Sequence, residues 1–336
     1  MCELLVEVTR GPLVENVHYG SIAVVDTSGK VIAYAGDPHF VSYMRSSAKP
    51  LQASAALEAG TIDRYGISER ELAVMCASHI GDTYHVEAVS AILEKIGLTE
   101  DAFTLGPVLS MSGKLRDERL AAGVAPRRIY NNCSGKHSCM LALCQDKGWD
   151  IRDYQRLDHP VQQLIRATVA AYCEMQPEEI IVGVDGCGVP VFAMPLDHMA
   201  LSYCNLTNPE QKLPPQRAAA ARRITRAMGA NPEMIAGFGM FCTSLISATH
   251  GRIIGKLGAD AVYCCAPVDG GLGIALKITS GNAAMLAPVM VRALKQLDLL
   301  SRAEQDELAH FAVFDNYNCQ KDKVGETRAV FDLHSC

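Results

Sequence analysis

The stretch MRSSAKP places Ser46 three residues before Lys49. A serine beside a neutral lysine is an activated nucleophile, because the amine takes the hydroxyl proton while the oxygen attacks a carbonyl carbon to form an acyl-enzyme. Pro50 has no N–H and is tolerated in the first turn of a helix, which predicts that Ser46 and Lys49 lie at a helix start. A chain of this composition contains roughly one Ser-x-x-Lys by chance. The alternative is therefore that Ser46 or Ser47 caps the helix and Lys49 lies in solvent.

Two later segments carry side chains that could complete a serine and lysine site. In penicillin-recognising serine enzymes, Ser-x-x-Lys is accompanied by Ser-Asp-Asn and by Lys-Thr-Gly on a strand. Here KLG supplies Lys256 in a predicted strand region, although Leu257 has no hydroxyl. No Ser-Asp-Asn occurs, and CASH instead offers Ser78 at the predicted end of a helix. The alternative for Ser78 is a helical serine that hydrogen-bonds to a backbone carbonyl. The alternative for Lys256 is a charged side chain on an edge strand.

A second cluster of reactive residue types lies in NNCSGKH and VDGCG. Cys133 and Cys187 each stand near a glycine in a polar break, where two thiolates could bind Zn²⁺. The remaining ligands would come from His137, Asp185 or a neutral Lys136, and a lysine ligand requires strong desolvation. Spacing alone leaves two alternatives open, a buried structural pair of cysteines or a Cys133 nucleophile with His137 as its base.

Composition excludes several classes of partner. The chain has 336 residues, of which 49% are hydrophobic and 20% charged, and its formal net charge is −6. Nucleic-acid binders concentrate basic residues on one surface, so we expect no nucleic-acid partner. Glu3 and Glu7 interrupt any signal peptide, and no apolar run reaches the roughly 18 to 20 residues that span a bilayer, so we expect a cytoplasmic protein without membrane attachment. Thirteen scattered cysteines suit reduced thiols better than a disulfide framework.

The elements that must position these residues are strands at both ends of the chain and helices between them. Strands are predicted near 1–40 and 250–336, and the helix-rich middle near 45–230. Consecutive strands joined by tight turns favour an antiparallel sheet. The predicted class is therefore α/β of the α+β type, with a mainly antiparallel sheet flanked by helices. We expect one two-lobed catalytic domain over 1–336.

Individual elements have recognisable signals. A hairpin is predicted over 21–37, and glycines frame a break at 185–188 in the apolar run 178–196. Ser68 and Glu71 have the spacing of a capping box. The predicted helices are 50–60, 68–79, 84–96, 136–145, 160–173, 215–228 and 283–296, and the later strands are 251–258, 260–268, 270–281 and 326–333.

Four motifs together carry a family resemblance. MRSSAKPLQ, CASH, NNCSGKH and VDGCGVPVFAMPL, in this order and at these separations, resemble the asparaginase II family, the Rhizobium-type L-asparaginases. The resemblance runs over essentially the whole chain. It implies a homodimeric hydrolase that converts L-asparagine to L-aspartate and ammonia, on a fold related to serine β-lactamases and glutaminases.

The resemblance implies roles for individual residues in catalysis. Ser46 would be the nucleophile with Lys49 as its partner, and Ser78 and Lys256 would form a second serine–lysine pair. Two charged ammonium groups in one pocket repel each other, so one of the two lysines would lose its proton and supply the neutral base that the chemistry needs.

Further implied roles concern metal and substrate. In the family a zinc ion is held by the equivalents of Cys133, Lys136 and Cys187, so Zn²⁺ is the expected cofactor. Three protein ligands leave one position open, and the ion would orient the substrate or hold the pocket. The residues expected to bind the substrate are Arg45, His137 and Asp185.

Some positions depart from the family pattern, and three rival functions stay open. The departures, which we expect to affect pocket shape, are Ile80, Asp82, Ser138, Cys139 and Leu257. The rivals are a serine β-lactamase-like or peptidase-like hydrolase, a non-catalytic protein that binds zinc or an amino acid, and a cysteine amidase. A cytoplasmic protein has no cell-wall peptide to process, which favours a small metabolite amide over a β-lactam.

Overall fold

Two antiparallel sheets organise the chain, and the computed structural model describes residues 1–336 of it. The predicted α+β class with an antiparallel sheet and flanking helices is confirmed. The strands are β1 Glu3–Arg10, β2 Leu13–Asp26, β3 Val31–Ala35, β4 Val41–Tyr43, β5 Ile181–Val184, β6 Pro190–Pro195, β7 Ile253–Gly258, β8 Val262–Pro267, β9 Leu272–Ile278, β10 Val313–Tyr317, β11 Lys323–Ala329 and β12 His334–Ser335.

Most helices lie between β4 and β7, as predicted. None of them combines the length and the hydrophobicity that crossing a bilayer requires. The helices are α1 Lys49–Glu58, α2 Thr61–Arg64, α3 Glu69–Met75, α4 Thr83–Lys95, α5 Gly113–Ala121, α6 Ser134–Lys147, α7 Pro160–Tyr172, α8 Leu196–Thr207, α9 Pro215–Ala230, α10 Pro232–Ile235, α11 Phe241–Ala248, α12 Leu286–Gln296, α13 Arg302–Glu307 and α14 Ala309–Ala312.

The larger sheet has nine strands and is built around the long strand β2. Its path runs β10-β11-β1-β2-β9-β8-β7, with β3 beside β2 and β12 beside β3. The first half of β2 pairs with β1, and the half from Gly20 to Asp26 pairs with β9. The predicted hairpin is confirmed as β2 and β3, which meet over Ile22–Val25.

The smaller sheet brings the turn that carries Ser46 close to the Asp185–Gly188 break. Its order is β4-β6-β5, and the Asp185–Gly188 break connects β5 to β6. After β4, Met44 donates its N–H to Phe192 O of β6 at 2.8 Å. The 3-10 turn Arg45–Ala48 follows directly, so this sheet holds both the start of α1 and the glycine-framed break.

Helices cover both faces of the larger sheet at β8, where every residue is buried. Neighbouring side chains on a strand point to opposite faces. Cys265 contacts Met290 of α12, whereas Cys264 lies against Ser47 in the turn before α1. Lys256 of β7 stands opposite Cys264 in the sheet register, and it therefore faces the helical middle of the chain.

Several element boundaries differ from the predictions. The capping box at Ser68 is present, but α3 ends at Met75 instead of reaching His79, because the Ser78 N–H bonds to Ile235 O of α10. Strand β11, Lys323–Ala329, starts three residues earlier than predicted, and it ends at Ala329 because the chain after it turns to contact α12. Helices α2, α5, α8, α10 and α11 were not predicted.

Candidate active site

Ser46 lies on the 3-10 turn Arg45–Ala48, which runs directly into α1. Pro50 stands in the first turn of α1, as predicted, and no side chain caps this helix. Ser47 instead donates a hydrogen bond from Oγ to Met44 O at 2.7 Å, so neither serine acts as the cap. The side chain of Ser46 is buried, and the lysines do not contact its Oγ through a hydrogen bond.

Lys49 is buried beneath this turn with three oxygen atoms around its amine. Its Nζ lies 2.7 Å from Ala77 O, 3.0 Å from Ser78 Oγ and 3.2 Å from Asn132 O. The predicted contact with Ser46 is not among these hydrogen bonds. The three-residue spacing therefore brings Ser46 and Lys49 to one region, while the hydroxyl that Lys49 contacts belongs to Ser78.

Ser78 occupies the loop after α3, held by the hydrogen bond from its N–H to Ile235 O at 2.9 Å. Its Oγ also lies 2.8 Å from Nζ of the buried Lys256. Lys256 Nζ donates a second hydrogen bond to Leu257 O at 2.9 Å. One hydroxyl thus joins two lysines that come from α1 and β7.

Burial sets the protonation of both lysines. The pKa of Lys49 is lowered, chiefly because burial disfavours the ammonium, with nearby Lys136 adding to the shift. Burial also lowers the pKa of Lys256 to about 7, and the positive charge of Lys49 contributes. A neutral amine is therefore accessible near neutral pH, which is what a serine nucleophile requires.

The second cluster assembles where α6 begins and where β5 turns into β6. Ligand atoms of Cys133, Asp185 and Cys187 all lie within 4.8 Å of one another. Lys136 joins them, with its Nζ 3.0 Å from Cys187 Sγ and 3.5 Å from Asp185 Oδ2. The predicted set of two cysteines, a lysine and an aspartate is thus a single cluster.

Two glycines allow this assembly. A Cβ on Gly135 would fall on the carbonyl oxygen of Val74, so glycine lets α6 pack against α3 at the point where Lys136 projects. Gly188 has φ +91°, and its N–H donates to Asp185 O at 2.9 Å to close the β5–β6 turn. The backbone therefore fixes both ends of the cluster.

The cluster already carries the charges that a divalent cation would meet. A hydrogen bond from Cys133 lowers the pKa of the Cys187 thiol to about 5, with Lys136 contributing, whereas that bond and burial raise the pKa of Cys133 to about 12. Burial opposes ionisation of Asp185, yet Lys136 and Arg45 hold its pKa at about 2. At neutral pH the cluster therefore contains a thiolate and a carboxylate.

These donors fit zinc. Thiolate sulfur and carboxylate oxygen are ligands that Zn²⁺ takes in proteins. Burial works against the charge on Lys136, but Cys133, Cys187 and Asp185 raise its pKa above the ordinary range, so its ammonium supplies the positive charge of the cluster. A bound cation would replace that charge and favour the neutral amine, because metal binding displaces protons from its ligands.

Arg45 borders both clusters. Its backbone has φ +52°, a left-handed conformation that is uncommon outside glycine. Its Nε donates to Asp185 Oδ1 at 2.9 Å, and its Nη1 pairs with the carboxylate of Asp260 in the β7–β8 turn. The predicted substrate-binding pair Arg45 and Asp185 is therefore in direct contact, one residue away from Ser46.

Sequence comparison identifies the family. A model of the family described as L-asparaginase II matches residues 6–329 of the chain. The chain belongs to the L-asparaginase II family. This membership supports the coarser function expected from the motifs, an amidohydrolase. No curated protein matches the chain significantly in sequence.

Several solved structures are similar to this member of the L-asparaginase II family at low identity. Mglu is 15% identical with a TM-score of 0.39, over 84% of this chain and 62% of Mglu. A β-lactamase from Mycobacterium bovis is 15% identical with a TM-score of 0.39, over 87% of this chain and 95% of the β-lactamase. A Bacillus glutaminase is 14% identical with a TM-score of 0.38, over 83% and 91%. The chain thus spans less than two thirds of Mglu, and similarity at this level carries no functional argument.

His137 lies apart from the other predicted residues of this family member. It is fully buried on α6, with its Nδ1 2.6 Å from Tyr154 OH and Phe103 at its edge. Burial lowers its pKa to about 3, with Lys136 contributing. Its ring makes no hydrogen bond to the Cys133 thiol; only the His137 backbone N–H contacts that residue, donating to Cys133 O at 3.0 Å, so the structure does not place His137 as the base of a cysteine amidase.

His79 is a residue of the site that sequence reasoning missed. Its Nδ1 accepts from Gly81 N–H at 3.1 Å, and its Nε2 lies 2.9 Å from Ser134 Oγ. Ser134 in turn donates to Ile129 O, so His79 ties the Ser78 loop to the start of α6. Burial lowers its pKa well below the ordinary value, so the ring is neutral. The only signal was its place in the motif CASH.

The departures from the family pattern have structural roles here. Asp82 accepts from Thr83 N–H at 2.7 Å and caps α4, and Ser138 donates to Gly135 O at 2.7 Å within α6. Ile80 lies against Gly237, where a Cβ would be 2.7 Å from Ile80 Cδ1. Cys139 is buried, and Leu257 points away from the face that carries Lys256.

Proposed function

We propose that the protein is an L-asparaginase that hydrolyses L-asparagine to L-aspartate and ammonia. The observation that carries the proposal is the meeting of two buried lysines at Ser78 Oγ, beside the turn that holds Ser46. Amide hydrolysis through an acyl-enzyme needs a serine and a neutral amine in one site. Membership of the L-asparaginase II family supports asparagine as the substrate.

The hydrogen bonds support different protonation states for the two lysines. Lys49 Nζ faces three oxygen atoms, which suits the three N–H donors of an ammonium. Lys256 Nζ faces only Ser78 Oγ and Leu257 O, so a neutral amine can donate to the carbonyl and accept the Ser78 hydroxyl proton. Lys256 is therefore the initial base, and Ser78 relays a proton from Lys49 to it.

That relay leaves Lys49 neutral for catalysis. Ser46 Oγ attacks the carbon of the substrate amide, and Lys49 accepts its proton. The same proton then moves to the amide nitrogen, the C–N bond breaks, and ammonia leaves an aspartyl ester on Ser46. A water molecule gives a proton to Lys49 and attacks the ester, and Lys49 returns that proton to Ser46 Oγ as L-aspartate leaves.

A second arrangement has Ser78 as the nucleophile. The observation that favours it is that both lysines contact Ser78 Oγ while neither contacts Ser46 Oγ. Lys256 would then accept the hydroxyl proton directly. The overall reaction is unchanged, but the ester forms on a different serine.

Metal and substrate binding complete the proposal. Zinc held by Cys133, Lys136 and Cys187 would supply a Lewis acid that helps to orient the substrate. Asp185 and Arg45 present opposite charges beside the site, which suits the α-ammonium and α-carboxylate of an amino acid. We further propose that the protein is a homodimer and that it is located in the cytoplasm. Light scattering would measure its oligomeric state.

The test is ammonia release from asparagine and glutamine by the wild type, Ser46→Ala, Ser78→Ala and the control Ser47→Ala. We expect Ser46→Ala to lose about 1,000-fold or more in kcat/KM. Ser47→Ala, whose hydroxyl bonds only to Met44 O and Cys264, should change it by less than about threefold. Mass mapping of acid-quenched enzyme should find the aspartyl ester on the peptide that contains Ser46.

Other outcomes would favour the rival functions. Full activity of Ser46→Ala with an ester on Ser78 would establish the second arrangement. Turnover of a chromogenic β-lactam without ammonia release from asparagine would favour a β-lactamase-like enzyme. Asparagine binding by calorimetry without ammonia release would favour a non-catalytic binding protein, and loss of activity only in Cys133→Ala would favour a cysteine amidase.

A further inference from the structure

Arg45 is held in one orientation by two carboxylates from different parts of the chain. Asp185 comes from the β5–β6 turn of the smaller sheet, and Asp260 comes from the β7–β8 turn of the larger sheet. Arg45 and Asp185 are mostly buried, whereas the Asp260 side chain is 66% exposed. The guanidinium therefore bridges the two sheets at the edge of the site.

The turn that carries Asp260 is fixed against the Ser46 turn. A Cβ on Gly258 would fall on Met44 O and lie 3.1 Å from Arg45 Cβ, so only glycine allows this approach. Asp260 has φ +56°, and Lys277 of β9 donates to its carbonyl oxygen. These contacts place the Asp260 carboxylate at Nη1 of Arg45, on the side away from Asp185.

We propose that Asp260 is a positioning residue for substrate binding, which keeps Arg45 from turning fully onto Asp185. A guanidinium beside a single carboxylate forms two parallel hydrogen bonds with it. With Asp260 engaging Nη1, Arg45 gives Asp185 only Nε, and Nη2 has a donor left for a substrate carboxylate. Asp185 also keeps an oxygen free for Lys136, 3.5 Å away.

This inference rests on the proposed function, because it assigns Arg45 to the α-carboxylate of an amino-acid substrate. Without Asp260, Arg45 would pair with Asp185 through both Nε and Nη2, so the donor for the substrate carboxylate would be lost, while the Asp185 oxygens would still accept from other groups. The expected defect is therefore in substrate binding. The lysines and Ser78 would keep their contacts, because none of them touches Asp260.

The experiment compares Asp260→Asn and Asp260→Glu with the matched control Asp269→Asn. Asp269 also has a left-handed backbone, is 67% exposed and pairs with an arginine, Arg222, at the β8–β9 turn. Asparagine tolerates a left-handed backbone, so each aspartate-to-asparagine change removes mainly charge. The readouts are KM and kcat for ammonia release from L-asparagine and from 3-aminopropanamide, which lacks the α-carboxylate.

We expect Asp260→Asn to raise KM for asparagine about tenfold, with kcat changed less than about twofold. Its kcat/KM for 3-aminopropanamide should stay near the wild-type value, Asp260→Glu should recover part of the loss, and Asp269→Asn should match the wild type. An unchanged KM in Asp260→Asn, or an equal loss with both substrates, would overturn the inference while a working wild type leaves the proposed function standing. A wild type that releases no ammonia would overturn both.

Discussion

Ser78 Oγ contacts the amines of both buried lysines, whose protonation sets the charge of the site. Two lysine amines lie 2.8 and 3.0 Å from it, and both come from fully buried side chains. Two ammonium groups around one hydroxyl would repel each other in a medium of low dielectric constant. The pair therefore loses a proton at a lower pH than two surface lysines would, and this proton deficit makes a base available.

The pH dependence of the rate should report this deficit. In the proposed mechanism Lys256 acts as a neutral amine, so we expect kcat/KM to rise with pH through about 7 and then to level off. The sign follows from the base being active after it loses its proton. The measurement is kcat/KM for ammonia release between about pH 5 and pH 9.

A variant pair checks that Lys256 is the group that titrates. Lys256→Met should lower kcat/KM by about 100-fold to 10,000-fold, the usual contribution of a general base. Lys295→Met, which removes a lysine from α12, should leave the profile unchanged. A wild-type rate that is flat or falls as pH increases through 7 would contradict the assignment.

At the scale of elements, the contact of α6 with α3 positions both clusters. Gly135 lies one residue from Lys136, and the α3 residue that it meets, Val74, is followed by the Ser78 loop. His79 adds a polar link between the same two elements through Ser134. A change in the distance between these helices would move the lysines and the cysteines relative to each other.

Gly135→Ala tests this contact. The added methyl has no space against Val74 O, so we expect the free energy of unfolding to fall by about 1–3 kcal/mol and the ammonia-release rate to fall with it. Gly113→Ala is the control, because the nearest atom to its Cβ is 3.8 Å away, and it should change stability by less than about 0.5 kcal/mol. Urea unfolding measures both, and equal stabilities would show that the helices can separate without cost.

Sequence reasoning succeeded where an element has its own local signal. Pro50 marked the start of α1, and the capping box at Ser68 marked that of α3. The family resemblance implied which residues would meet around Cys133 and Cys187, and in the structure the ligand atoms of Cys133, Asp185 and Cys187 lie within 4.8 Å of one another. Local rules are sufficient for the two helix starts because the decisive neighbours are close in sequence, whereas Cys133 and Cys187 lie far apart in the chain and were assigned to one site by the family resemblance.

The rest depends on contacts between distant residues. Helix α8, Leu196–Thr207, is buried on nearly all sides, so it has no polar face that a periodic pattern could detect. The end of α3 depends on Ile235, far along the chain from Ser78. Nothing in the sequence distinguishes Asp260 from other exposed turn residues. Only the close approach of Gly258 to Met44 brings it beside Arg45.

At the scale of the whole molecule, zinc binding would connect the helical middle to the smaller sheet. Cys133 and Lys136 belong to the start of α6, while Cys187 belongs to the β5–β6 turn. A ligand that binds only the folded protein adds about 2.7 kcal/mol of stability at a concentration one hundred times its Kd. We therefore expect added zinc to raise Tm.

The variant Cys187→Ser should abolish most of this rise in Tm, because it replaces a thiolate ligand with a neutral hydroxyl. Cys319→Ser, at an exposed cysteine, is the control and should respond to zinc as the wild type does. Differential scanning calorimetry with and without zinc measures the shift. An equal rise in all three proteins would mean that zinc binds elsewhere.

The pairing of β1 with β11 has a consequence for how the protein is made. Val6 is opposite Ala329, and Gly20 is opposite Ile278. Strands β1 and β2 therefore cannot complete their pairing until the last quarter of the chain has been synthesised. A ribosome adds about 5–20 residues per second, which leaves the apolar segment Ile22–Val25 without its β9 neighbour for tens of seconds. This apolar segment must therefore be kept from associating with other chains until synthesis is nearly finished. We expect the yield of folded protein in a cell to depend on chaperone capacity as well as on the stability of the final fold.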